Sequence, residues 1–160
     1  MQEIEVNASL NKDVQYASLL PQIFAFCNGE TDAIANLSNI CAALKQSFNW
    51  WWVGFYFVKN NELVLGPFQG PVACTRIAFG KGVCGTAWQK VETIIVEDVE
   101  KFAGHIACSS ESKSEIVVPI IKNKKVVAVL DVDSEHLSKF DETDKMYLEE
   151  LAKFASTFFE

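Results

Sequence analysis

The sequence predicts an α+β domain, with a central, largely antiparallel sheet of about six strands and helices packed against it. Two observations carry this. Apolar residues recur with helical period at both ends of the chain. Between them, short β-branched and aromatic runs are separated by turn residues at hairpin spacing, without the long crossovers that a parallel sheet needs. At 160 residues, one domain spanning residues 1–160 is the expected organisation.

From Asp13 to Phe26, Val14, Ala17, Leu20, Ile23 and Phe24 mark a helical stripe. Pro21 predicts a kink and Gly29 a C-terminal cap. Thr31 or Asp32 caps a second helix with Ile34, Leu37, Ile40, Cys41 and Leu44 on one face. Cys27 and Cys41 lie on these helices and are read as core residues. The period then shortens. Trp51–Lys59 and Glu62–Phe68 form a hairpin across Asn60 and Asn61. Cys74–Ala78 is a third strand. Gly80–Lys90 is a loop entering a short helix, with Cys84 near its start. Thr93–Val96 is another strand. Glu97–Ser114 shows no clean period and reads as a long loop with at most one helical turn. Glu115–Ile121 and Lys125–Val132 form a second hairpin across Asn123. Asp141–Phe159 closes the chain as an amphipathic helix whose candidate core positions are Phe140, Met146, Leu148, Leu151, Phe154 and Phe158. Asp141 and Asp144 at its start suit the helix dipole.

Composition excludes several functions. Hydrophobic residues make up 49%, which excludes disorder, and the net charge of −7 argues against a nucleic-acid or membrane-surface binder. No apolar run reaches the ~20 residues of a membrane span, and the amino terminus has no basic leader. Cytoplasmic residence is the resulting expectation. Five cysteines in a reducing compartment are buried hydrophobes, metal ligands or catalytic thiols before they are structural disulfides.

Three of the thiols, Cys74, Cys84 and Cys108, fall at strand edges and in loops, where a thiolate is accessible. They contain no closely spaced pair, and only His105 is near, so no metal site is expected. His105 and Cys108 lack an orienting third group for a papain-like arrangement. Gly80, Gly82 and Gly85 match no phosphate-loop pattern and read as a tight turn before a helix. Loop thiols without metal spacing suit dithiol redox chemistry, in which one thiolate is oxidised and a second resolves it as a disulfide. Asp131 and Asp133 are two residues apart on a strand and so share a face, and Glu115 begins the partner strand. Either the three face water as strand-end residues, or they converge on a cationic or proton-seeking ligand.

The segments WVGFY (52–56), LGPFQG (65–70), ACTRI (73–77), GKGVCG (80–85), GHIAC (104–108), SEIVVP (114–119) and VLDVDS (129–134) resemble the free methionine-(R)-sulfoxide reductases, which are single GAF-domain proteins. One departure is Ser109, where that family usually has Asp. The resemblance implies that Cys108 attacks the sulfoxide sulfur and that Cys84 resolves the product as a Cys84–Cys108 disulfide. Cys74 is implied to assist the exchange. Glu115, Asp131 and Asp133 would bind the substrate ammonium and sulfoxide oxygen, and Trp52 and Tyr56 would wall the pocket. Backbone amides around Ile106, Ala107 and Cys108 would hold the substrate carboxylate. No bound cofactor is implied. Thioredoxin, ultimately drawing on NADPH, is the implied reductant in oxidative-stress repair. A homodimer is also implied, with Trp50 and Trp51 as exposed aromatic surface. The alternative is a non-catalytic GAF module sensing a small molecule or redox state.

Overall fold

A computed structural model describes residues 3–104 and 110–160. Its elements follow the expected order: α1 (Lys12–Phe26), α2 (Ala33–Phe48), β1 (Trp52–Lys59), β2 (Glu62–Gln69), β3 (Arg76–Ala78), α3 (Gly82–Lys90), β4 (Ile94–Val96), β5 (Ser114–Lys122), β6 (Lys125–Ser134) and α4 (Glu142–Ala155). Among the described residues of the long loop one 3-10 turn is formed, Val99–Lys101, and another, Ser156–Phe158, follows α4. None of the described helices is long and apolar enough to cross a membrane.

The sheet has the order β3-β2-β1-β6-β5-β4, and every neighbouring pair is antiparallel. Asn60 and Asn61 turn the β1–β2 hairpin at φ 51° and 62°, and Asn123 and Lys124 turn β5–β6 at φ 49° and 64°. Two successive positive φ values are the turn whose twist matches paired strands, and Asn tolerates them well.

Ile116 and Val118 of β5 and Ala128, Leu130 and Val132 of β6 join α1, α2 and α4 in the larger core. The opposite face carries Trp52, Tyr56, Val117 and Val129 and is covered by α3 with Val83, Cys84 and Ala87. Period-two alternation therefore assigns each strand residue to one of two apolar layers. Gly85 lets α3 approach β3: a Cβ there would stand 2.5 Å from the Ala78 carbonyl oxygen.

The helices depart from the expected stripes in instructive ways. On α1 the buried residues are Tyr16, Leu19, Leu20 and Ile23, while Val14 is exposed and Ala17 faces outward. The buried face is rotated because Tyr16 donates its hydroxyl to buried Asp144 at 2.8 Å. Pro21 is accommodated within α1, and the cap is Cys27 rather than Gly29. Asp32 caps α2 by accepting from the Ala35 amide. Ile34, in the first turn, is exposed. Met146 is also exposed, since α4 buries Asp144, Leu148, Leu151, Ala152 and Ala155 instead. Trp50 is buried against Phe48 and Phe140. It cannot offer the exposed surface expected of it, and Trp51 is only partly exposed.

Candidate active site

The predicted acids sit on the face covered by α3. In the ladder, Trp52 pairs with Asp133 and Gly54 with Asp131, while Glu115 pairs with Asp133 and Val117 with Asp131. Asp131, Asp133 and Glu115 therefore project from adjacent positions of two strands to one side. They do not face water. Glu115 and Asp131 are each 6% exposed, and Asp133 is partly buried.

These acids, with Trp51, Trp52, Tyr56, Pro71, Val72, Ala73, Cys84 and Ser112, line a cavity of about 60 Å³. Trp52 stacks between Phe68 and Tyr56, with ring centroids 5.4 and 6.0 Å away, and donates Nε1–H to the Pro71 carbonyl at 3.1 Å. Its indole lies flat over Gly54, where a Cβ would come within 2.4 Å of the ring. Tyr56 donates its hydroxyl to the Cys74 carbonyl at 3.0 Å, tying the aromatic wall to the backbone of a loop thiol. Cys84 enters through the first turn of α3 and is buried.

Electrostatics in this cavity favour protons over charge. Burial, then Asp131 and Asp133, pushes the Glu115 carboxyl well above the usual carboxylate range. Burial and Asp133 raise Asp131 well above it too, although hydrogen bonding from Cys84 and Glu115 opposes the shift. Asp133 is raised by burial to about 6, opposed by the Ser112 hydroxyl, which donates to its Oδ1 at 2.5 Å. Burial, followed by Asp131 and Glu115, pushes the Cys84 thiol well above its ordinary range. Three carboxyls crowded into one buried cavity do not all ionise readily without a cation, so the cluster favours retained protons. Such an arrangement can donate a proton and hold an ammonium group. Cys84, Glu115 and Asp131 are also close enough to hold a metal ion.

Trp52, Tyr56, Cys84, Glu115, Asp131 and Asp133 are thus brought together as expected. Ile106, Ala107 and Cys108 lie outside the described residues. Cys84 is a free thiol, so the disulfide implied through it is not formed in this structure, whereas Cys74 is disulfide-bonded. The physical reason lies in the cluster: an anionic sulfur at 84 would stand against three acids, and the neutral thiol hydrogen-bonds Asp131 instead. Ser112 was not singled out in the sequence. One serine just before β5, in a stretch that also holds Ser109 and Ser110, carries no local sign that it will meet an acid on β6.

Residues 31–160 match the GAF domain family model. The chain is 58% identical to GAF domain-containing protein A of Dictyostelium discoideum, covering 95% of this chain and 96% of that protein. It is 45% identical to the free methionine-R-sulfoxide reductase of Saccharomyces cerevisiae, covering 94% and 88%. Among solved structures, a free methionine-R-sulfoxide reductase from Neisseria meningitidis in complex with its substrate superposes with a TM-score of 0.97 at 53% identity, covering 99% of this chain and 96% of that one. The chain belongs to the GAF-domain family of free methionine-R-sulfoxide reductases.

Proposed function

We propose that this protein reduces free L-methionine-(R)-sulfoxide to L-methionine. The observation that carries the reading is the buried Glu115–Asp131–Asp133 cluster, with raised carboxyl pKa values, beneath the Trp52–Tyr56 wall. A sulfoxide is a poor electrophile until its oxygen is protonated or strongly hydrogen-bonded, and a carboxyl that keeps its proton near neutrality supplies that help. An ammonium placed against the remaining carboxylates neutralises them. This favours a free amino acid over a peptide-bound residue, whose missing charge would leave buried acids unpaired.

The chemistry balances with two thiols. The Cys108 thiolate attacks the sulfoxide sulfur, and Glu115 or Asp131 protonates the oxygen. Oxygen is then transferred to the Cys108 sulfur, releasing methionine and leaving a sulfenic acid. A second thiol displaces hydroxide, which leaves as water, and forms a disulfide. We assign that step to Cys74 rather than Cys84, because Cys74 is engaged in a disulfide while Cys84 is free and held neutral among acids. A dithiol such as thioredoxin, ultimately supplied by NADPH, reduces the disulfide by exchange. No bound cofactor takes part. Cytoplasmic residence and a homodimer complete the proposal, the dimer without Trp50 in its surface.

The test is epimer-resolved product analysis with free methionine-R,S-sulfoxide and either dithiothreitol or thioredoxin. The R epimer alone should be consumed. Cys108→Ser should abolish turnover. Cys74→Ser should abolish thioredoxin-supported turnover far more completely than Cys84→Ser. Stoichiometric binding without methionine release would overturn the enzymatic reading in favour of a sensor module.

A further inference from the structure

Along the chain, the cysteine spacing offers no metal site. Folding brings candidate donors together from different elements. Cys84 from α3, Glu115 from β5 and Asp131 from β6 present a sulfur and two carboxylate oxygens, all within 4.8 Å of one another and all in buried residues. A second observation points to a ligand: Oδ1 of Asp131 is buried and has no hydrogen-bond partner among the described residues. Leaving a buried carboxylate oxygen unsatisfied is costly, and a cation delivered to the cavity removes that cost. The cavity of about 60 Å³ exceeds the roughly 10–15 Å³ that one water needs, so an ion with a bound water has room.

We propose that Cys84, Glu115 and Asp131 form a three-ligand site for a borderline divalent cation such as Zn²⁺, with water as the fourth ligand, and that this cation excludes the substrate. The donor set selects the metal class. One sulfur with two carboxylates suits Zn²⁺ or Cd²⁺, whereas Mg²⁺ and Ca²⁺ prefer oxygen alone. Binding displaces protons: the Cys84 S–H bond is lost to an S–metal bond, and protons held by Glu115 and Asp131 leave to solvent. Affinity therefore rises with pH. The metal occupies the oxygens that would face an ammonium and removes the proton the reduction consumes, so the loaded protein is inhibited. Exclusion of substrate rests on the function proposed above. Metal binding does not.

The experiment uses the full chain in its oxidised form, with Cys74 already in its disulfide. Zn²⁺ alone is titrated by calorimetry in buffers of different ionisation enthalpy, and Cd²⁺ alone is followed by thiolate-to-metal absorption. One ion per chain should bind with proton release. Affinity should fall at least about tenfold in both Cys84→Ser and Asp131→Asn, and the Cd²⁺ absorption should vanish in Cys84→Ser. Circular dichroism and melting establish that each variant is folded, and should Cys84→Ser unfold, Asp131→Asn decides. Unchanged Zn²⁺ affinity in folded Asp131→Asn, or Cd²⁺ binding without thiolate absorption, overturns the site. In a second arm, methionine sulfoxide should weaken Zn²⁺ binding, and undiminished binding overturns the exclusion. Reductase activity measured on metal-free protein reports on the proposed function separately.

Discussion

The Ser112 hydroxyl donates to Oδ1 of Asp133 at 2.5 Å, and this hydrogen bond opposes the upward shift of that carboxyl to about 6. In the unfolded chain Asp133 titrates near its ordinary value of 3.8. Between those two values the folded protein holds the proton and the unfolded chain does not, so this group's contribution to stability falls as pH rises. Its cost is absent below about 3.8 and complete above about 6. Asp133→Asn removes that dependence. Chemical denaturation at a series of pH values should show the variant gaining stability relative to the parent by roughly 2 kcal/mol between pH 4 and 7. A constant difference across that range would contradict the assignment.

Glu115 is a buried carboxyl facing the cavity, and burial with Asp131 and Asp133 beside it favours its protonated form. Glu115→Gln preserves shape and removes the transferable proton. With free methionine-R-sulfoxide, the variant should lose about 10²- to 10⁴-fold in kcat. The parent's activity should fall on the alkaline side as the cluster ionises, since the raised carboxyl must be protonated to act. A pH–rate profile measures that limb, and the variant should flatten it.

Gly54 is needed because Trp52 lies over it. Gly54→Ala places a methyl within 2.5 Å of Phe68 Cβ as well as against the indole. Displacing the ring should raise KM for the sulfoxide more than it lowers kcat, because the acids and thiols stay in place. The expected stability cost is about 1–3 kcal/mol. Steady-state kinetics and a denaturation curve check both halves.

Away from the site, Asp144 ties α1 to the start of α4. It accepts from Tyr16 at 2.8 Å and from Lys12 at 2.5 Å, and it completes a capping box with Asp141 at the start of α4. Asp144→Ala strands a buried tyrosine hydroxyl and removes the buried one of the two carboxylates that pair with the Lys12 ammonium, leaving it Asp141 at 2.9 Å. The loss should be about 3–5 kcal/mol in urea unfolding. Tyr16→Phe, which removes only the hydroxyl, should cost less.

Much of the fold was legible because it rests on local signals. Asn60 and Asn61 announced one hairpin and Asn123 the other. Alternation in VLDVDS put Asp131 and Asp133 on one face, and the start of β5 placed Glu115 beside them. Local pattern failed where a distant partner decided. The buried face of α1 turned to follow Asp144, and Met146 and Ile34 were left outside because helical period gives a stripe without saying what covers it. The sequence predicts an exposed Trp50, yet its ring is enclosed by Phe48 and by Tyr16 and Phe140 from remote segments.

By itself the sequence determined which residue types are available and which face of each strand they occupy, because side-chain direction follows from a period of two. Only the tertiary structure decided that the three acids would line a covered cavity, Glu115 and Asp131 buried and Asp133 partly so, because burial is a property of what packs above them. That layer is α3, held close by Gly85. The same packing keeps Cys84 neutral among the acids, which separates it from Cys74 in a way that position along the chain could not.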